Sequence, residues 1–144
     1  YVKAALVDIQ RFFRLILFNF VTSNDDAHLK NFSLIEHHGE YRLSPAYDLV
    51  NTALQLREPR IFALDKGLFR EGMAFSDTRT IRRTDFEEFG RRIGLPEKVV
   101  RKEIELFLSD QPLTYELLER SFLSEELKKQ YRQTFDYRRR MLVF

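Results

Sequence analysis

Residues 2–21 repeat apolar side chains with the period of a helix. Val2, Ala5, Leu6, Ile9, Phe12, Phe13, Ile16, Leu17, Phe20 and Val21 fall at i, i+3, i+4 and i+7 spacings, which puts them on one face. Lys3, Asp8, Gln10, Arg11 and Arg14 fill the other side. A membrane span of about 20 residues does not tolerate such a polar stripe cheaply, so the pattern predicts an amphipathic core helix. Thr22, Ser23 and Asn24 then break the period with turn- and cap-forming side chains, and 25–31 is expected as a loop at the end of that rigid helix. Two short strand-like runs, 32–36 and 41–43, flank His37-His38-Gly39-Glu40, which predicts a β-hairpin with both histidines in the solvent at its tip. Pro45 fixes its own backbone and keeps Ser44 extended, so the second strand delivers Tyr47 and Asp48 back beside the loop from which the hairpin left.

Further along, residues 60–75, RIFALDKGLFREGMAF, predict one or two strands around Asp65-Lys66-Gly67, a candidate for substrate contact. Thr84-Asp85-Phe86-Glu87 has the spacing of a capping box and opens a helix that should end near Gly94. Pro96 suits the first turn of another helix reaching about Leu108, and Pro112 and Ser124 mark two more starts. The last helix, roughly 125–142, carries Leu127, Tyr131, Phe135, Arg138 and Leu142 on one broad face. The expected class is α+β and mainly α: a helical lobe with one small β-hairpin. A chain of 144 residues has room for one ordinary core, so one domain or one lobe of a larger protein is expected.

Composition narrows the chemistry. The absence of Cys excludes disulfides, thiolate zinc sites and Cys nucleophiles, and is compatible with a cytoplasmic location. Three His leave little for a metal cage. A net charge of +2 is too weak to imply nucleic acid, so no direct nucleic-acid contact is expected. The run Arg138-Arg139-Arg140 is expected as a solvated face of the last helix. The sequence opens on Tyr1 and enters a periodic segment without a cap, which suggests a piece cut from a longer protein.

The stretch 23–31, SNDDAHLKN, is rich in residues that pack poorly and are costly to bury unpaired. Asp26 and Asn31 form a D-x-x-x-x-N pattern, and a second acid, Asp48, follows the hairpin. That is the layout of a protein-kinase catalytic loop and its metal-binding Asp. Magnesium takes oxygen ligands and keeps several waters, so one carboxylate, one amide carbonyl and the nucleotide phosphates suffice. The spacing alone equally fits a structural turn. A metal-dependent phosphoesterase with Asp25, Asp26, His28 and Asp48 as ligands is one rival reading, though His37 and His38 lie too far out on the hairpin to support it. A noncatalytic helical adaptor or degenerate kinase lobe is another, and it leaves Asn31 and Asp48 unexplained.

The run Asn24-Asp25-Asp26-Ala27-His28-Leu29-Lys30-Asn31, followed by Tyr41-Arg42-Leu43-Ser44-Pro45-Ala46-Tyr47-Asp48, closely resembles the C-terminal kinase lobe of the HipA-like toxins, serine/threonine kinases of bacterial toxin–antitoxin systems. The family signature is approximately D-x-H-x-K-N, then L-[ST]-P-x-Y-D, and both halves stand here in order. The resemblance implies that Asp26 is the catalytic Asp, that Asn31 and Asp48 hold magnesium, and that His28, Lys30 and Tyr47 line the ATP site. Asp25 lies one position outside that register. It also implies a helical C-lobe over residues 1–144, a protein substrate, and a DNA-binding, HipB-like antitoxin as partner. Gly39, Gly67, Gly72, Gly90 and Gly94 form no G-x-G-x-x-G loop, and no strand offers a V-A-I-K-like Lys, so the N-lobe is expected elsewhere, on the same chain or as a separate subunit. The chain alone should therefore be an inactive half-site.

Overall fold

A computed structural model describes residues 5–55 and 81–144. The predicted first helix is α1, Ala5–Val21. It is followed by a single 3-10 turn at Leu29–Asn31 and an antiparallel hairpin of β1, Leu34–His37, and β2, Glu40–Leu43. Among the described residues four more helices follow: α2, Arg83–Arg92; α3, Glu97–Leu108; α4, Pro112–Glu119; and α5, Glu125–Met141. The class is α+β and mainly α, as the pattern predicts. Among the described residues no helix is long and apolar enough to cross a membrane. The possible strands at 60–75 lie outside the described residues.

α1 is the spine of the core. Its Phe13, Ile16, Leu17, Phe20 and Val21 are buried against Ile81, Phe86 and Phe89 around α2, Val100 and Ile104 of α3, and Phe135 and Leu142 at the end of α5. Phe13 stacks on Phe89 with centroids 5.8 Å apart, and Phe20 meets Phe86 edge-on at 5.0 Å. Leu6, by contrast, is 61% exposed, so the apolar face is narrower at the N-terminal end than its spacing suggests. α2 and α3 approach closely because Gly90 has no side chain. A Cβ there would overlap Val100 Cγ2 and lie 3.3 Å from Phe13 Cε2.

The polar side of α1 is not a plain solvated stripe. Asp8 is buried, and its Oδ2 accepts a hydrogen bond from Leu43 N at 3.1 Å, pinning β2 to the helix. Gln10 and Arg14 reach the fully buried Glu103 of α3 at 2.5 to 2.8 Å. The hairpin is further held by Phe32, whose ring meets Phe12 edge-on at 5.0 Å. Its tip is tight: His38 (φ 53) and Gly39 (φ 77) both take the left-handed conformation that a two-residue turn between twisted strands requires. The strands pair from Leu34 opposite Leu43 to His37 opposite Glu40, and both histidines are exposed as expected.

Two helix-level expectations need correction. The box that opens α2 begins at Arg82, not Thr84: Asp85 Oδ2 accepts from Arg82 N at 2.9 Å, while Glu87 turns to Arg83 at the same distance. Thr84 lies inside the first turn because the acid that reaches back, Asp85, stands two positions ahead of Glu87. The cationic run is not a solvated face either. Arg138 is buried, and Arg139 donates to the carbonyls of Phe107, Leu108 and Ser109 at 2.8, 3.1 and 2.7 Å, satisfying acceptors left open at the end of α3. Only Arg140 is exposed. The predicted Ser124 cap holds, with its Oγ accepting from Leu127 N at 3.3 Å.

Candidate active site

The candidate site begins where α1 stops. Asn24 N reaches back to Asn19 O at 2.8 Å and Ser23 takes a left-handed φ of 57, so the chain leaves the helix in a sharp turn. Ser23, Asn24 and Asp25 are buried beneath the loop. They are stitched to the segment after the hairpin. Asn24 Nδ2 donates to Asp48 O at 2.9 Å and to Asn19 Oδ1 at 3.2 Å. Thr52 N donates to Ser23 O at 3.0 Å, and Asn51 Nδ2 to Thr22 O at 2.8 Å. Two segments separated by the whole hairpin thus form one rigid floor.

On this floor Asp26 is exposed, followed by exposed His28 and Lys30 and by buried Asn31. Asn31 Nδ2 donates to Asp48 Oδ2 at 2.6 Å. Tyr47 OH donates to Lys30 O at 3.0 Å, bracing the 3-10 turn. Asp48 has a φ of 56, which aims its carboxylate back at Asn31. The structure therefore pairs Asn31 with Asp48 and Tyr47 with Lys30 by side-chain hydrogen bonds, whereas His28 and Asp26 are tied in through the backbone, Asn31 N donating to His28 O at 2.9 Å and His28 N to Asp26 O at 2.7 Å. Among the described residues no group of three or more His, Cys, Asp or Glu could hold a metal ion. What Asn31 and Asp48 offer is smaller and suits a hard cation that brings other oxygen ligands with it. Their mutual bond uses one oxygen of Asp48 and the amide nitrogen of Asn31, so that among the described residues Asn31 Oδ1 and Asp48 Oδ1 have no hydrogen-bond donor. One carboxylate and one amide oxygen match magnesium on nucleotide phosphates.

Asp25 and Arg138 are the pair that sequence reasoning missed. Arg138 Nη2 donates to Asp25 Oδ1 and Oδ2 at 3.1 and 3.3 Å in a buried ion pair. Burial pushes the Asp25 carboxyl up from its ordinary value against the pull of Arg138, and burial likewise lowers the Arg138 guanidinium against the pull of Asp25. With its carboxylate occupied in this way, Asp25 is withdrawn from the metal set that a phosphoesterase would need. A cleft of about 610 Å³ also lies between α1, the hairpin and Phe107, lined by Arg11, Leu15, Phe18, Ile35, Arg42 and Pro45 among others. None of the predicted site residues lines it.

The family model of the HipA-like C-terminal domain matches residues 2–112. The chain belongs to that family. A Haemophilus influenzae protein named "Putative kinase" is 28% identical to this HipA-like domain over 137 residues, covering 83% of the chain and 38% of the relative. A chain in the structure of the Shewanella oneidensis MR-1 toxin–antitoxin complex of HipA, HipB and operator DNA superposes with a TM-score of 0.67 at 23% identity. The match covers 93% of this chain and 31% of that one, and it establishes a shared fold. The HipA-like domain described here thus spans roughly a third of the length of the relatives it matches.

Proposed function

We propose that residues 1–144 are the catalytic C-terminal lobe of a HipA-like serine/threonine protein kinase of a toxin–antitoxin system, working in the cytoplasm. The observation that carries this reading is the Asn31–Asp48 pair: two oxygen-bearing side chains, 17 residues apart in sequence, hydrogen-bonded at 2.6 Å beside the loop of Asp26. In this reading Asn31 and Asp48 hold the magnesium of a magnesium–ATP complex, which supplies charge neutralisation on the phosphates. His28 and Lys30 flank the nucleotide from the exposed turn, and Tyr47 keeps that turn in place through its bond to Lys30 O. Asp26 accepts the proton of a substrate serine or threonine hydroxyl. The hydroxyl oxygen bonds to the γ-phosphorus, the bond from that phosphorus to the bridging oxygen breaks, and ADP leaves.

The DNA-binding, HipB-like antitoxin is part of the same proposal, by analogy with the complex of the Shewanella protein. So is an N-lobe, on the same chain or a separate subunit, to cover the phosphates. The decisive experiment is Asp26→Asn in the intact protein. Loss of the general base lowers phosphoryl transfer by roughly 10²- to 10⁴-fold with the unfolding transition unchanged. Near-normal transfer by that variant removes Asp26 from its role.

A further inference from the structure

Asp25 is the acid of the loop that the kinase reading leaves without a task, and it is the one held most firmly. Its carboxylate is 2% exposed and Arg138 is 4% exposed. The guanidinium of Arg138 lies 5.0 Å from the ring centroid of Phe20, so it is cushioned on the last turn of α1. From the other direction Asp25 N donates to Thr52 Oγ1 at 3.0 Å, and that hydroxyl donates to Ser23 O at 3.1 Å. A side chain of α5 thus grips the residue immediately before Asp26, while the segment after Asp48 holds the same residue by its backbone. Asp26 has no comparable support of its own. It is exposed, and its carboxylate has no hydrogen-bond partner among the described residues. Its position is inherited from Asp25. Arg138 also lies well beyond residues 2–112, the part that the family model covers.

We infer that Arg138 is a positioning residue for phosphoryl transfer, fixing the loop that carries Asp26 through its buried ion pair with Asp25. This inference rests on the kinase reading of Asp26. It makes α5 part of the working site as well as part of the core. Displacing a reacting group by 1 Å can cost about 10²-fold in rate, so loosening the clamp acts on kcat. Affinity for magnesium–ATP depends on Asn31 and Asp48, which are held by their own 2.6 Å bond and not by Arg138, and stays near that of the parent.

The test uses Arg138→Met, Arg138→Lys and the double variant Asp25→Leu/Arg138→Met in the intact protein. The single Met variant strands a buried carboxylate, whereas the double variant removes both charges and recovers stability. Expected are a kcat lowered about 10²-fold in Arg138→Met with little change in nucleotide affinity, and partial recovery in Arg138→Lys. The double variant regains the melting temperature but not kcat, and the amides of 25–28 exchange faster than in the parent. Should kcat return together with the melting temperature in the double variant, Arg138 has a purely structural role and the inference is overturned. Unchanged kcat and unchanged exchange in Arg138→Met overturn it as well. A parent protein that transfers no phosphate overturns the kinase reading, and with it the catalytic part of Arg138. The exchange data separate that failure from the absence of a clamp.

Discussion

Asp48 occupies a backbone conformation, φ 56, that most side chains adopt only at a cost of about 1–2 kcal/mol and that Asp and Asn tolerate better. On the proposed reading the position combines a backbone demand with a chemical one, and the two can be separated by choice of substituent. Asp48→Asn keeps the turn and removes the charge. In the intact protein its expected outcome is weaker magnesium–ATP binding with metal-free ATP binding unchanged, measured by titrating nucleotide with and without magnesium. Asp48→Ala adds backbone strain and should in addition lower the melting temperature. Asn31→Ala removes the amide oxygen and strips Asp48 of its 2.6 Å partner, so its loss should also be confined to the metal-bound nucleotide. Equal weakening with and without the metal in all three variants would exclude Asn31 and Asp48 as its ligands. The sequence singles out these two residues because they stand in a spaced motif, and the structure brings their side chains together. Asp25 stands in the same run, yet its partner is 113 positions away, and no local pattern distinguishes a buried, paired Asp from an exposed one.

Between elements, the α1–α3 junction combines apolar packing with one buried carboxylate, Glu103. Burial works to raise the Glu103 carboxyl, but hydrogen bonds from Arg14 and Gln10, with the charges of Arg14 and Lys102, outweigh it and hold the group below its ordinary 4.5. An acid whose folded value is depressed contributes stability that is fully present above the unfolded value. That contribution is lost as pH falls through the folded value. Denaturation series from neutral pH down through 4.5 and below should therefore show the parent losing stability more steeply than Glu103→Gln, and parallel curves would deny Glu103 that role. At the α2–α3 contact, Gly90→Ala gains up to about 1 kcal/mol of helix propensity. It also forces a methyl into Val100, and overpacking of this kind costs about 1–3 kcal/mol, so a lowered melting temperature is expected. Sequence pattern revealed the elements themselves: α1 from its period, the hairpin from His38-Gly39, α5 from Ser124. These signals lie within a few residues of each other. The ties between elements were not legible, since Asp8 meets Leu43 across 35 residues and Gln10 meets Glu103 across 93.

For the molecule as a whole, the decisive fact is proportion: the chain matches 38% of one longer relative and 31% of another. It has a core of its own, shared by α1, α2, α3 and α5, and contains no Cys, so its folding needs no disulfide. Residues 1–144 expressed alone should therefore unfold cooperatively. Catalysis makes a further demand. The five glycines form no G-x-G-x-x-G loop, and the strands among the described residues, β1 and β2, contain no Lys, so on the proposed reading Asp26, Asn31 and Asp48 would provide stabilisation from one side only. Electrostatic stabilisation of a developing charge depends on excluding water, and a transition state open on one side loses much of it. The expected result is weak ATP binding and no phosphate transfer by residues 1–144 alone, with transfer restored on adding the remainder of the intact protein as a separate polypeptide. A phosphotransfer assay on both samples checks this. Robust transfer by residues 1–144 alone would mean that the lower half of the site suffices, and would overturn the division of labour between the two lobes.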